Sequence, residues 1–205
     1  MGFTSFSFAF SASVGYLLGS LPFGYLVAKM RGVNIFAVGS GNVGATNVRR
    51  SVGCGAGAIV FLLDAAKGFA AVAWPLHHCC CDVSRRCASI GLLAALLGHM
   101  FSIFLRFRGG KGVSVAIGGF LALEANVLLL ALAAWAVVFA FGRFVSLASI
   151  FFALMLPLCS YLFYYPPFEN VVALAVAAMI IGRHWQNIRR LLDGTEHGFG
   201  KESGK

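Results

Sequence analysis

The sequence predicts an all-α integral membrane protein with seven transmembrane helices, an external N-terminus and a cytoplasmic C-terminus. Three observations carry that prediction. Of 205 residues, 60% are hydrophobic and 11% charged, where a soluble domain carries about 25% charge, so most of the surface has lipid as its solvent. The apolar stretches are continuous and lack strict alternation, which favours helices over barrel strands as the way to satisfy backbone groups in hydrocarbon. Lys and Arg sort to alternate ends of those stretches, as the positive-inside rule requires.

A helix needs about 20 apolar residues to cross the hydrocarbon core. Runs of that order place spans at about 6–29, 55–76, 88–106, 111–123, 126–142, 146–165 and 168–183. The first begins in MGFTSFSFAFSASVGYLLGS, which lacks the basic start of a cleaved signal peptide and reads as a retained membrane segment. The fourth, around GVSVAIGGFLAL, is short for a full crossing and either tilts or re-enters. It is kept because dropping it spoils the charge sorting. With it, one side collects Lys29, Arg31, Arg49, Arg50, Arg106, Arg108, Lys111, Arg143, Arg183, Arg189, Arg190, Lys201 and Lys205, the other keeps Arg85 and Arg86, and Lys67 lies within a span. No soluble domain and no internal repeat remain, so residues 1–205 read as one membrane domain.

The net charge of +9 would suggest nucleic acid in a soluble protein. Here no RNA-binding motif accompanies it, and the charges serve topology, anionic lipid or a phosphorylated substrate. The cysteines gather on the opposite side, in HHCCCDVSRRC, read as an external loop holding Cys79, Cys80, Cys81 and Cys87. A disulfide is permitted there in an oxidising compartment, and free thiols fit equally well.

Four segments on the cytoplasmic side join glycine or a small hydroxyl residue to a base: GSGNVGATNVRR, RFRGGKGVS, GRFVSLAS and GRHWQNIRRLLDGTEHGF. Glycine allows close approach of backbone N–H groups to a ligand, and Arg and Lys give charge-assisted hydrogen bonds to phosphate oxygens. In the second segment Gly109, Gly110, Lys111 and Gly112 run into the fourth span, so the helix start adds its amides to the lysine charge. It is not a Walker A loop, because the spacing and the GK[ST] ending are absent. A tight turn with a topogenic lysine explains GGKG alone equally well. The first segment offers more: Ser40, Asn42, Thr46 and Asn47 donate or accept, Arg50 supplies a planar fork, and Gly39 and Gly41 shape the loop.

Asp64 and Lys67 stand three apart in VFLLDAAKGFAA, where they share a helix face and pair. Such groups face the bundle interior, and pairing explains them better than direct catalysis. His99, in LLGHM, reads as a packing residue. The carboxylates are scattered and no Cys/His set has ligand spacing on the inner face, so no metal site or cofactor is expected.

These blocks, GSGNVGATNVRR, LLGHM, FRGGKGVS, RFVSLASI and RHWQNIRRLLDGTEHGF, resemble in order and spacing those of the bacterial acyl-phosphate:glycerol-3-phosphate acyltransferases, over nearly the whole chain. The resemblance implies a seven-helix enzyme of the bacterial inner membrane, active at the cytoplasmic face. It would transfer a fatty acyl group from acyl phosphate to the 1-position of sn-glycerol 3-phosphate, giving lysophosphatidic acid and phosphate. It implies Ser40, Asn42, Asn47 and Arg50 as site residues, Gly109 to Gly112 as a phosphate loop, and Ser146, Ser149, His184 and Asn187 as further contributors. Where the family often reads HRENI this chain reads HWQNI, so a glutamate is replaced by Gln186.

Acyl phosphate is a mixed anhydride with a good leaving group, so positioning and electrostatics suffice without an acyl-enzyme. On this reading Arg50 and Lys111 hold the phosphates, and Ser40 and Asn47 polarise the acyl carbonyl. Ser146, Ser149, His184 and Asn187 orient glycerol 3-phosphate, and either His184 or a phosphate oxygen takes the hydroxyl proton. A monomer is adequate for this chemistry. The competing reading is a multi-pass anion transporter, against which stands the gathering of polar residues at one membrane face rather than at the midplane.

Overall fold

The computed structural model describes residues 2–79 and 81–199. Lys201 and Lys205 of the charge count, and Cys80, lie outside the described residues. By internal contacts the chain divides into two compact units, Met1–Leu123 and Glu124–Lys205. Among the described residues both are helical, and the sole ladder feature is an isolated bridge between Ser102 and Arg108.

In the first unit, α1 (Gly2–Ser20) and α2 (Phe23–Met30) form one candidate span of 26 residues, Ser5–Met30, interrupted at Leu21 and Pro22. Pro22 cannot continue the helix, and the break leaves carbonyls at the end of α1 without their usual i+4 partners. Two of these are taken up by side chains: Ser102 Oγ donates to Ser20 O at 2.6 Å and Lys67 Nζ to Leu21 O at 2.9 Å. A short helix α3 (Ala45–Ser51) precedes α4 (Cys54–His78), which packs against α5 (Cys81–Met100) and α6 (Val113–Leu123). The contacts are made close by small residues. A Cβ on Gly19 of α1 would collide with the Ala95 carbonyl of α5, and one on Gly118 of α6 with the Ala65 carbonyl of α4. Between helices in lipid, backbone proximity of this kind replaces the hydrophobic drive available in water.

HHCCCDVSRRC is not the loop expected. Helix α4 runs on through His78, whose ring stacks on Trp74 at 5.5 Å, and α5 begins at Cys81. The Asp, Ser and Arg residues ride on helical turns that extend past the apolar run, and polarity alone misread them as a connector.

The second unit holds α7 (Ala125–Gly142), α8 (Val145–Leu162), α9 (Pro167–Arg183) and α10 (Trp185–Leu192). The axes of α9 and α10 meet at 57°, with His184 between them. After α10 the chain turns at Gly194 (φ 68°) and folds back, and Phe199 N donates to Arg143 O at 2.7 Å while its ring meets Phe139 edge-on at 5.2 Å.

By length and composition, four helices among the described residues are apolar enough to cross a membrane, or five if bent α9 and α10 count as one span. The protein is therefore an all-helical membrane protein. Helix α6, at 11 residues, spans about 16 Å, roughly half a hydrocarbon core.

Candidate functional site

In the first unit, GSGNVGATNVRR is held from below by an apolar cluster of Ala28, Ile35, Val43, Val48, Ala56 and Val60. Two valines of the segment face inward and its polar residues organise the backbone above them. Asn47, buried at 2% exposure, does most of this. Its Oδ1 accepts from Ser40 N at 2.9 Å, and its Nδ2 donates to the carbonyls of Asn42 (2.9 Å), Val38 (3.1 Å) and Ile35 (3.4 Å). Gly39 sits at φ 57°, and a Cβ there would run into Asn47 Oδ1, so glycine and asparagine fit as a pair. Asn47 thus spends its amide on the loop backbone. Ser40 and Arg50 are exposed on this frame, while Thr46 is half-buried.

Asn42 connects this loop to the other. Its Oδ1 accepts from Gly44 N at 2.8 Å, and its Nδ2 donates to Gly109 O at 3.4 Å. Gly110 N in turn donates to His99 O at 3.0 Å, and a Cβ on Gly110 would strike the His99 ring. Gly112, at φ 87°, accepts from Ala116 N at 2.8 Å and opens α6, with half-buried Lys111 just before it. The two glycine-rich segments, about 70 residues apart in the chain, therefore meet.

Beneath them lies a buried ionic group. Lys67 Nζ is 2.9 Å from Asp64 Oδ1, the pairing expected from their spacing, and His99 Nδ1 is 3.7 Å from the same oxygen. His99 came from another helix as a lone histidine, so nothing in the sequence tied it to the pair.

The second unit gathers the remaining candidates around a residue that sequence reasoning missed. Glu196, on the returning tail, accepts through Oε1 from Ser146 Oγ at 2.8 Å and Asn187 Nδ2 at 2.7 Å, and through Oε2 from Arg190 Nε at 2.8 Å. Burial pushes this carboxyl up, but hydrogen bonds from Arg190, Asn187 and Ser146 and the Arg190 charge outweigh it, holding the group below its ordinary range. Gln186 is exposed, so the substitution there removes nothing from this cluster. Ser149 is one turn along α8; its hydroxyl donates to Val145 O at 2.8 Å and accepts from Trp135 Nε1 at 3.4 Å.

His184 is buried at the bend, with Nδ1 2.8 Å from Ile180 O. A carbonyl only accepts, so Nδ1 carries a proton and donates it to Ile180 O.

A family profile described as glycerol-3-phosphate acyltransferase matches residues 9–194. Proteins named glycerol-3-phosphate acyltransferase from Aquifex aeolicus and Methylobacillus flagellatus are 43% and 44% identical, covering 90% and 92% of this chain and 95% of each relative. A crystal structure of PlsY (YgiH), an integral membrane glycerol 3-phosphate acyltransferase, in its glycerol 3-phosphate form is 41% identical with TM-score 0.89, over 95% of this chain and 96% of that one. Its lysophosphatidic acid form is 40% identical with TM-score 0.87 and the same coverage. With the family profile spanning nearly its whole length and both glycine-rich loops in place, this chain belongs to the glycerol-3-phosphate acyltransferase family.

Proposed function

We propose that this membrane acyltransferase passes a fatty acyl group from acyl phosphate to the 1-hydroxyl of sn-glycerol 3-phosphate in phospholipid synthesis, releasing lysophosphatidic acid and phosphate. The observation that carries the reading is the Asn42 to Gly109 hydrogen bond, which joins two base-bearing, glycine-rich loops within one unit. Two anionic substrates repel each other, and a paired set of loops bearing Arg50 and Lys111 offsets that repulsion. Ser40 and neighbouring loop amides polarise the acyl carbonyl, with Asn47 holding their geometry.

In the reaction, the substrate hydroxyl oxygen attacks the carbonyl carbon. The bond from that carbon to the phosphate oxygen then breaks, and phosphate leaves with its electron pair. The hydroxyl proton goes either to His184 or to a phosphate oxygen of the donor, which departs with it. Ser146, Ser149 and Asn187 orient glycerol 3-phosphate, with Glu196 fixing Ser146 and Asn187. Seven spans, an external N-terminus, a cytoplasmic C-terminus and a bacterial inner-membrane location complete the proposal, supported by the sidedness of Lys and Arg.

The test is formation of lysophosphatidic acid by purified protein in lipid given acyl phosphate and glycerol 3-phosphate, with acyl-CoA in parallel. Product from acyl phosphate alone is expected. Absence of product, or phosphate transport without acyl transfer, overturns the reading. Membrane-impermeant thiol labelling tests the orientation: Cys79 reacting only from the cytoplasmic side contradicts it.

A further inference from the structure

We propose that the chain carries a binding site for the headgroup of an anionic membrane phospholipid, built from Tyr25, Phe36, Phe104, Leu105, Arg106 and Arg108. These residues line a cavity of about 450 Å³ in the first unit. The site is independent of the acyl-transfer reading.

The cavity is shaped by a knot of backbone after α5. Leu105 N and Phe107 N both donate to Ser102 O, at 3.1 and 2.8 Å, and Ser102 also bridges to Arg108. Ser102 Oγ fastens the knot to the Ser20 carbonyl. Closing it puts two consecutive non-glycine residues, Arg106 and Phe107, in the left-handed region at φ 53° and 61°, a conformation that persists only where the surroundings enforce it. The result is outward display: Phe104 and Phe107 are 57% and 63% exposed, beside exposed Arg106 and Arg108.

The chemistry of this display selects the occupant. Arg108 lies over the Phe36 ring at 5.6 Å and Lys29 over the Tyr25 ring at 5.7 Å, so the cation heads are seated on aromatic faces at the cavity. Arginine presents a planar fork to phosphate oxygens, and aromatic rings with bare apolar neighbours suit the level where headgroup meets acyl chain. A free soluble anion would use the bases and leave the exposed aromatics in water. A neutral lipid would use the aromatics and leave the bases unmatched. A phospholipid with net negative charge satisfies both, and the patch ends where α2 and α5 leave their apolar runs, so such a lipid reaches it from the bilayer.

The test is native mass spectrometry of delipidated protein in detergent, titrated with phosphatidylglycerol, phosphatidylcholine or inorganic phosphate. The wild type should retain one phosphatidylglycerol at least about tenfold more tightly than phosphatidylcholine, and inorganic phosphate should not displace it. Arg106→Asn removes the charge with a residue that tolerates the left-handed backbone, and should weaken phosphatidylglycerol about fivefold, the factor of one basic side chain at an anionic surface. Arg106→Lys should recover most of the loss. Equal retention of both lipids, displacement by phosphate, or wild-type affinity in Arg106→Asn overturns the proposal. So does an Arg106→Asn protein whose lipid binding is intact but whose KM for acyl donor is raised, since the cavity would then hold the donor's chain.

Discussion

Glu196 is the residue whose removal has the most calculable effect. In Glu196→Ala, Ser146 Oγ and Asn187 Nδ2 lose their acceptor within a buried pocket, and Arg190 loses its ion-pair partner. Each buried donor left unsatisfied costs about 1–3 kcal/mol. Arg190 is 31% exposed and turns to water, so its share is at most about 1 kcal/mol. Together the loss is about 3 kcal/mol, which in a chain of this size lowers the melting temperature by about 6–12 °C. Thermal unfolding in detergent, read by tryptophan fluorescence, measures it directly. Glu196→Gln keeps an acceptor for the two neutral donors and should recover about half the loss. Because the folded carboxyl is held below its ordinary value of 4.5, its stabilising contribution is complete above that value. It fades as pH falls through the lower folded pKa, and Glu196→Gln should abolish this fade. A Glu196→Ala protein that melts within about 1 °C of the wild type would refute the cluster as described.

Three other substitutions probe the first unit. Asn47→Asp is nearly isosteric but sets a carboxylate oxygen against the carbonyls of Val38 and Asn42; melting should fall by about 3 kcal/mol equivalent, the cost of an unpaired buried charge, and yield of folded protein measures it. Gly110→Ala drives a methyl into the buried His99 ring, so the melting temperature should fall by the equivalent of about 1–3 kcal/mol and turnover should drop with it. Lys67→Met should destabilise by about 3 kcal/mol, because Asp64 loses its close partner and keeps only His99, 3.7 Å away. The double change Asp64→Leu with Lys67→Met should restore most of that, as a double-mutant cycle on melting will register.

Much of this was legible in the residues. The spacing of Asp64 and Lys67 foretold their pairing, and the glycine and asparagine content of GSGNVGATNVRR foretold a built loop rather than a connector. The break at Leu21 and Pro22 was not, since the apolar run continues straight through it and hydropathy is blind to a missing N–H. Glu196 was passed over because it sits in a polar tail that reads as solvated; the turn at Gly194 was the available signal that the tail doubles back. The junction of Asn42 with Gly109 was equally hidden, since periodicity reports faces of single helices and not which distant loops meet. The family's glutamate at position 186 looked like a loss, yet that position faces outward and the buried carboxylate comes from elsewhere.

The central claim is that the joined loops handle the anionic substrates. Steady-state kinetics of lysophosphatidic acid formation in Arg50→Ala and Lys111→Ala test it most directly. In each variant kcat/KM should fall by at least about a hundredfold, with melting temperatures near the wild type, the scale of losing one charged stabiliser of a developing negative charge. Turnover undiminished in either variant would contradict it.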